Sequence, residues 1–163
     1  MHERERNRLA KTQTALLLAA SDMDQAAAAA RVLQTEKDGV LARALETAIA
    51  VSYMRPFTGE APGRLPDAYV PTGSPDAGYD SDLKALRDKT YAHTDKASGR
   101  KTSLKIAVRE GDVVNVEWSE EWVPLPREAL PSLIEFFERQ RDRFRSEAAS
   151  IHVQLHGLGP QQA

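Results

Sequence analysis

Cysteine is absent from this sequence of 163 residues. Without thiols the chain has no disulfide framework, no thiolate nucleophile, and no thiolate-bound zinc or iron–sulfur cluster. Aromatic residues are scarce, at 6% of the composition, which argues against a surface on which nucleic-acid bases stack. The apolar stretch at residues 15–20 is too short to span a membrane and lacks the flanks of a secretory signal. We therefore expect a cytoplasmic protein with no membrane segment.

The sequence has the composition of an ordinary globular domain. Hydrophobic residues make up 41% and charged residues 28%, and 22 basic against 24 acidic residues give a formal charge of -2. This balance provides no overall attraction to nucleic acid or to a membrane surface. Because a chain of this length is about one domain, we expect a single domain over residues 1–163.

Two helices are predicted in the first third of the chain. Residues 3–35 are rich in alanine and contain neither glycine nor proline, a composition that favours one long helix. A second helix is predicted over residues 40–54. It is expected to stop near Arg55, because Pro56 disfavours helical geometry in the residue before it.

Two more helices are predicted in the second half. Asp80 or Ser81 is expected to cap a third helix, since either side chain can accept a hydrogen bond from a free N–H group of the first turn. Apolar residues recur at helical spacing over residues 130–151, which predicts the last helix.

The remaining segments carry turn and strand signals. Residues 56–78 hold five of the nine prolines and four of the nine glycines, which predicts a long irregular loop. Alternating apolar residues on both sides of a glycine-containing turn predict a β-hairpin at about residues 103–119. The expected fold is therefore mainly α, a bundle of about four helices with an appended β-hairpin.

Known cofactor and metal motifs do not occur in the sequence. There is no His-Glu-x-x-His pattern, Walker loop, dinucleotide-binding glycine motif, EF-hand loop or Gly-x-Ser-x-Gly elbow. His152 and His156 have the i, i+4 spacing that lets two imidazoles share a metal ion, but no third ligand accompanies them. We expect no metal site and no cofactor.

One segment concentrates reactive side chains. The string LRDKTYAHTD at residues 86–95 combines a guanidinium, an imidazole, a phenol and two carboxylates. From Lys84 to Arg109 there are eight basic and two acidic residues, a local charge of +6, and acidic residues follow directly. Such a concentrated positive patch can hold a phosphate backbone even in a slightly acidic chain.

Arginine and histidine together can cleave RNA without a metal. RNA carries its own nucleophile, the 2′-OH beside the scissile phosphate, and His93 could take its proton or protonate the leaving 5′-oxygen. Arg87 could bind the non-bridging oxygens and stabilise their developing charge. Because His93 is the only histidine away from the two ends, a second subunit is the simplest source of the other proton transfer.

The residues Arg87, Asp88 and His93 resemble the signature of HEPN (higher eukaryotes and prokaryotes nucleotide-binding) domains, an arginine and a polar residue followed by a histidine. The string LRDKTYAHTD, and the string SYMRPF at residues 52–57, look especially like HEPN proteins of the abortive-infection type. The resemblance implies a helical bundle, usually a homodimer, that acts as a metal-independent ribonuclease in phage defence or as a toxin. An antitoxin or another defence-system partner would accompany it.

Carried over by position, the resemblance makes Arg87 and His93 the catalytic pair and Asp88 the residue that orients them. Four further residues are expected to bind RNA: Lys84, Lys89, Tyr91 and Arg55.

Simpler interpretations stay open for the same residues. Arg87 could form only a surface ion pair with Asp88 or Glu46, and His93 could only interact with a helix end. The alternative function is a non-catalytic HEPN module that binds nucleotide or RNA or docks on a partner protein. A third hypothesis is a structural helical protein in which the motif arises by chance.

Overall fold

The computed structural model describes residues 2–37, 39–58, 64–91, 102–109, 112–120 and 125–157, with the backbone alone at 89–91 and in the two strands. Over these residues the fold is mainly helical, as predicted. The four α-helices are α1 (Glu3–Thr35), α2 (Gly39–Met54), α3 (Asp76–Tyr91) and α4 (Leu130–His156). In the described part of the chain, no helix has both the length and the apolar character that crossing a membrane requires.

Helix α1 forms the centre of the packing, with α4 and α2 against it and α3 against α2. Its 33 residues include no helix breaker, and alanine has the best intrinsic helix propensity. The small side chains of Ala19, Ala26 and Ala30 are buried, which allows close approach of the neighbouring helices. The predicted end of this helix near residue 35 is confirmed.

Helix α2 ends at Met54, as the position of Pro56 predicts. The chain continues as a 3₁₀ turn over Arg55–Phe57, which places the proline where its missing N–H is tolerated. Beyond the undescribed residues 59–63, the buried side chain of Leu65 and a 2.7 Å hydrogen bond from its N–H to the Pro56 carbonyl hold the chain against the bundle. The proline- and glycine-rich segment is therefore attached to the helical bundle at Leu65.

Helix α3 begins at Asp76, not at Asp80 or Ser81 as predicted. The extra turn includes Gly78, a poor helix former, so local propensity does not favour it. Contacts from α4 compensate, because Arg139 donates to the Asp76 carboxylate at 2.7 Å and Gln140 donates to it at 3.2 Å. The predicted loop at 56–78 therefore ends three residues earlier, before Asp76.

The core between α2, α3 and α4 is aromatic. The centre of the Tyr53 ring lies 5.4 Å from the ring centre of Phe136 and 5.9 Å from that of Phe137. The ring centres of Phe136 and Tyr79 are 5.3 Å apart. The hydroxyl of Tyr53 donates a 2.8 Å hydrogen bond to Asp80. Aromatic rings bury the largest apolar areas in protein cores, so this group contributes strongly to the stability of the bundle.

Two strands are present in the backbone, β1 (Thr102–Arg109) and β2 (Asp112–Glu120). They pair antiparallel with Ile106 opposite Val116, and the register shifts between Ala107 and Val108. The predicted turn at residues 110 and 111 lies outside the described residues. The appended hairpin, as a unit attached to the bundle, therefore stays a prediction.

Burial raises the pKa of the Tyr53 phenol well above its ordinary value, and the hydrogen bond and negative charge of Asp80 raise it further. The folded protein therefore keeps a proton that the unfolded chain releases at about pH 10, so stability falls as pH rises above that value. We expect Tyr53→Phe to cost about 1 kcal/mol near neutral pH through the lost hydrogen bond. Its stability should then decline less steeply than that of wild type above about pH 10. Urea unfolding at several pH values tests this, and parallel curves for the two proteins would contradict it.

Candidate functional site

The predicted site begins with an ion pair on α3. The Arg87 Nε donates a 2.9 Å hydrogen bond to Asp88 Oδ1, and Nη2 of the same guanidinium also contacts that oxygen. Arg87 keeps 27% of its side chain exposed and Asp88 is more exposed. The surface ion pair between these neighbours, left open by the sequence, is therefore present. Since Asp88 takes Nε and Nη2, the structure describes no partner for the Nη1 donors of Arg87.

Glu46 is the other acid suggested as a partner for Arg87. It is buried in α2, and its Oε1 accepts a 3.2 Å hydrogen bond from the backbone N–H of Leu125. That contact fixes the chain just before α4. In the structure as described, the ion pair of Arg87 is the one with Asp88.

The remaining residues of the motif are described only in part. Lys84 is exposed on α3 three positions before Arg87, so the two side chains lie on neighbouring parts of the helix surface. The backbone of Lys89 and Tyr91 belongs to the last turn of α3, but their side chains lie outside the described residues. His93 also lies outside them. Its role with Arg87 stays a prediction.

Arg55 and Arg87 lie in different parts of the helical bundle relative to the contact between Tyr53 and Asp80. The contact of Tyr53 with Asp80 places the end of α2 beside the start of α3. Arg87 is further along α3 than Asp80 by about 10 Å, at 1.5 Å per residue, whereas Arg55 is two positions after Tyr53 and pairs with Asp22 of α1. The structure therefore pairs Arg55 and Arg87 with different acids, and the role of Arg55 in RNA binding stays a prediction.

Arg55 instead belongs to a cleft between α1 and the end of α2. Its Nη1 contacts the carboxylate of Asp22 in α1 at 2.5 Å. Burial raises the pKa of the Asp22 carboxyl, and the positive charge and hydrogen bond of Arg55 oppose that rise. We call this space, about 320 Å³ in volume, the α1–α2 cleft; its polar lining is Ser21, Asp22, Gln25, Arg55, Thr58 and Arg64.

Arg64 was missed by sequence reasoning. It lies in the predicted proline- and glycine-rich loop, and its Nη2 contacts Asp67 at 2.8 Å. Nothing in the local pattern distinguishes it from a solvated loop residue. Only the folding of the loop against Pro56 brings it to the same cleft as Arg55.

A second cleft of about 580 Å³ lies between the start of α3 and α4. Asp76, Arg139, Gln140 and Arg143 line it. Gln140 is buried, and its Oε1 has no hydrogen-bond partner among the described residues. The guanidinium of Arg143 lies 5.6 Å from the centre of the Tyr69 ring and donates to backbone carbonyls at 3.4 and 3.5 Å. Sequence reasoning also missed this cleft, because its residues come from segments far apart in the chain.

The two histidines near the end of α4 are neighbours, as their spacing predicts. The ring centres of His152 and His156 lie 4.3 Å apart. Within the described ranges, no group of three histidine, aspartate or glutamate side chains is arranged to hold a metal ion.

Comparisons with known proteins assign no function to these sites. No protein-family model matches the chain, and comparisons with curated proteins and with solved structures find no match. The functional argument therefore depends on the residues themselves.

Proposed function

We propose that this protein is a metal-independent endoribonuclease of the HEPN class, in which Arg87 and His93 cleave RNA. The observation that carries the proposal is the contact of Arg87 with Asp88 on α3. A carboxylate that holds Nε and one Nη of an arginine orients the guanidinium, and the other Nη then has donors for phosphate oxygens. The mainly helical fold and the +6 charge of the surrounding segment agree with this function.

The proposed chemistry uses the substrate's own hydroxyl. One imidazole takes the proton from the 2′-OH, the 2′-oxygen attacks phosphorus, and the bond from phosphorus to the 5′-oxygen breaks. A second imidazole protonates that oxygen, leaving a 2′,3′-cyclic phosphate and a free 5′-OH. Arg87 stabilises the negative charge on the non-bridging oxygens.

Because the proposed mechanism needs two imidazoles, we propose that the protein acts as a homodimer. Each chain contributes one His93, so two copies that face a common groove supply the base and the acid. In this arrangement Lys84, Lys89 and Tyr91 bind the RNA on either side of the scissile phosphate. We place the activity in phage defence or in a toxin–antitoxin pair, where an antitoxin or another defence protein restrains it.

The proposal is tested with purified protein and single-stranded RNA in the presence of EDTA. We expect cleavage to continue and the products to carry 2′,3′-cyclic phosphates, identified by mass spectrometry. His93→Ala should slow cleavage by about 10²–10⁴-fold, the usual contribution of general acid–base catalysis. His152→Ala is the matched control, because His152 is an exposed histidine on α4.

Two results would contradict the proposal. Cleavage that survives His93→Ala would remove the proposed acid–base group. RNA binding by wild type without any cleavage would indicate the non-catalytic HEPN module instead.

A further inference from the structure

We propose that the α1–α2 cleft is a phosphate-binding site in which Arg55 and Arg64 hold the phosphoryl group of a nucleotide or of RNA. Arg87 is not among the residues that line this cleft, and the proposal does not depend on the proposed cleavage chemistry. Arginine is suited to this role because its planar guanidinium can donate two parallel hydrogen bonds to phosphate oxygens.

Asp22 fixes the position of Arg55. The carboxylate is only 6% exposed, and a buried carboxylate requires a paired cation. Arg55 supplies that cation through Nη1, yet 56% of its side chain remains exposed. Over the described residues Nε and Nη2 of Arg55 have no hydrogen-bond partner. The guanidinium is therefore held at one end and presents unused donors to the cleft.

Arg64 provides the second positive charge. Its contact with Asp67 joins two solvated groups, since the Arg64 side chain is 50% exposed and that of Asp67 is 85% exposed. Such surface ion pairs contribute little stability, so a phosphate can replace or share the contact at small cost. Among the described residues that line the cleft, Asp22 is the single acidic one, against two arginines. The cleft therefore favours an anion.

The rest of the lining suits a phosphate attached to an organic group. Ser21 and Gln25 add side chains that can donate hydrogen bonds, while Leu18 and Pro56 form an apolar wall. The volume of about 320 Å³ lies at the lower end of the range for small-molecule sites. It has room for one phosphorylated sugar unit. We therefore expect one phosphate to be bound per cleft.

The test is a titration of wild-type protein followed by NMR of the arginine side chains. The probes are inorganic phosphate, adenosine monophosphate and a short single-stranded RNA whose 2′-hydroxyls are methylated so that it cannot be cleaved, with acetate as the anion control. We expect saturable shifts of the Arg55 and Arg64 Nε resonances with phosphate-bearing probes. Tighter binding of RNA would identify a nucleic-acid source, and tighter binding of the mononucleotide would identify a free nucleotide. Both results support the shared phosphate chemistry.

Arg64→Gln is the decisive variant, because its exposed partner Asp67 does not need the charge for folding. We expect about tenfold weaker binding of the tightest probe, the effect of losing one charge-assisted hydrogen bond. Arg31→Gln is the matched control, since Arg31 is 49% exposed and pairs with Glu138 outside the cleft. Arg55→Lys keeps a positive charge beside Asp22 and should also weaken binding.

Three results would overturn the proposal. The first is the absence of any saturable shift at Arg55 and Arg64 with all three phosphate probes. The second is an equal response to acetate, which would show general attraction of anions. The third is an equal loss of affinity in Arg64→Gln and Arg31→Gln, which would show that total charge and not the cleft determines binding.

Discussion

Replacement of Arg87 by alanine is expected to slow RNA cleavage by about 10²–10³-fold, the usual cost of removing one donor that stabilises a developing oxyanion. The reason lies in the arrangement on α3, where Asp88 takes Nε and Nη2 and the donors of Nη1 have no described partner. Arg87→Lys should recover only part of the rate, because an ammonium keeps the charge but not the planar fork. Single-turnover assays with saturating enzyme measure this effect on the chemical step.

A substitution at Asp88 distinguishes the effect of orienting the Arg87 guanidinium from the effect of its positive charge. Asp88→Asn keeps the size of the side chain and should give a smaller loss than Arg87→Ala, because the guanidinium remains but is less firmly oriented. Arg145→Ala serves as the control for loss of an arginine, since Arg145 is exposed on α4 and pairs with Asp24. If Arg87→Ala and Arg145→Ala had equal rates, Arg87 would be only a member of a surface ion pair.

Replacement of Phe136 by alanine is expected to lower the free energy of unfolding by about 3–5 kcal/mol. Phe136 is fully buried. Its ring lies within 5.5 Å of three other aromatic rings, those of Tyr53, Tyr79 and Phe137, which come from three helices. Alanine would leave a cavity where α2, α3 and α4 meet. Because natural domains are stable by only about 5–15 kcal/mol, this single change should bring the protein close to unfolding.

Chemical denaturation followed by circular dichroism measures the loss. Val153→Ala is the control on α4, since Val153 is an exposed apolar residue and such substitutions usually change stability by less than about 0.5 kcal/mol. A loss in Phe136→Ala no larger than that of the control would show that the aromatic group does not support the bundle.

Local chemistry accounts for the helix ends that the sequence predicts correctly. Helix α2 stops where Pro56 requires, and α1 runs to Thr35 because no breaker interrupts it. The start of α3 could not be predicted in this way. Asp76 is held by side chains of α4 more than 60 positions away, and no window of the sequence around Gly78 contains that information.

The same distinction between local and long-range contacts applies to the candidate sites. The contact of Arg87 with Asp88 joins adjacent residues, so the sequence alone could suggest it. Asp22 and Arg55 are 33 positions apart, and their pairing depends on the packing of α1 against α2. Arg64 enters the same cleft only because its loop folds back on Pro56. Predictions from residue spacing therefore succeed within one helix and fail between elements.

The hydrogen bond from Leu125 to Glu46 has a consequence for the start of α4. Leu125 lies just before α4 and Glu46 lies within α2, so this bond joins the chain that enters the last helix to a helix 79 positions earlier in the sequence. Helix α4 packs against α1. The Glu46 carboxylate therefore gives the start of the last helix a second attachment, to α2, and this attachment is a directed hydrogen bond and not apolar packing alone.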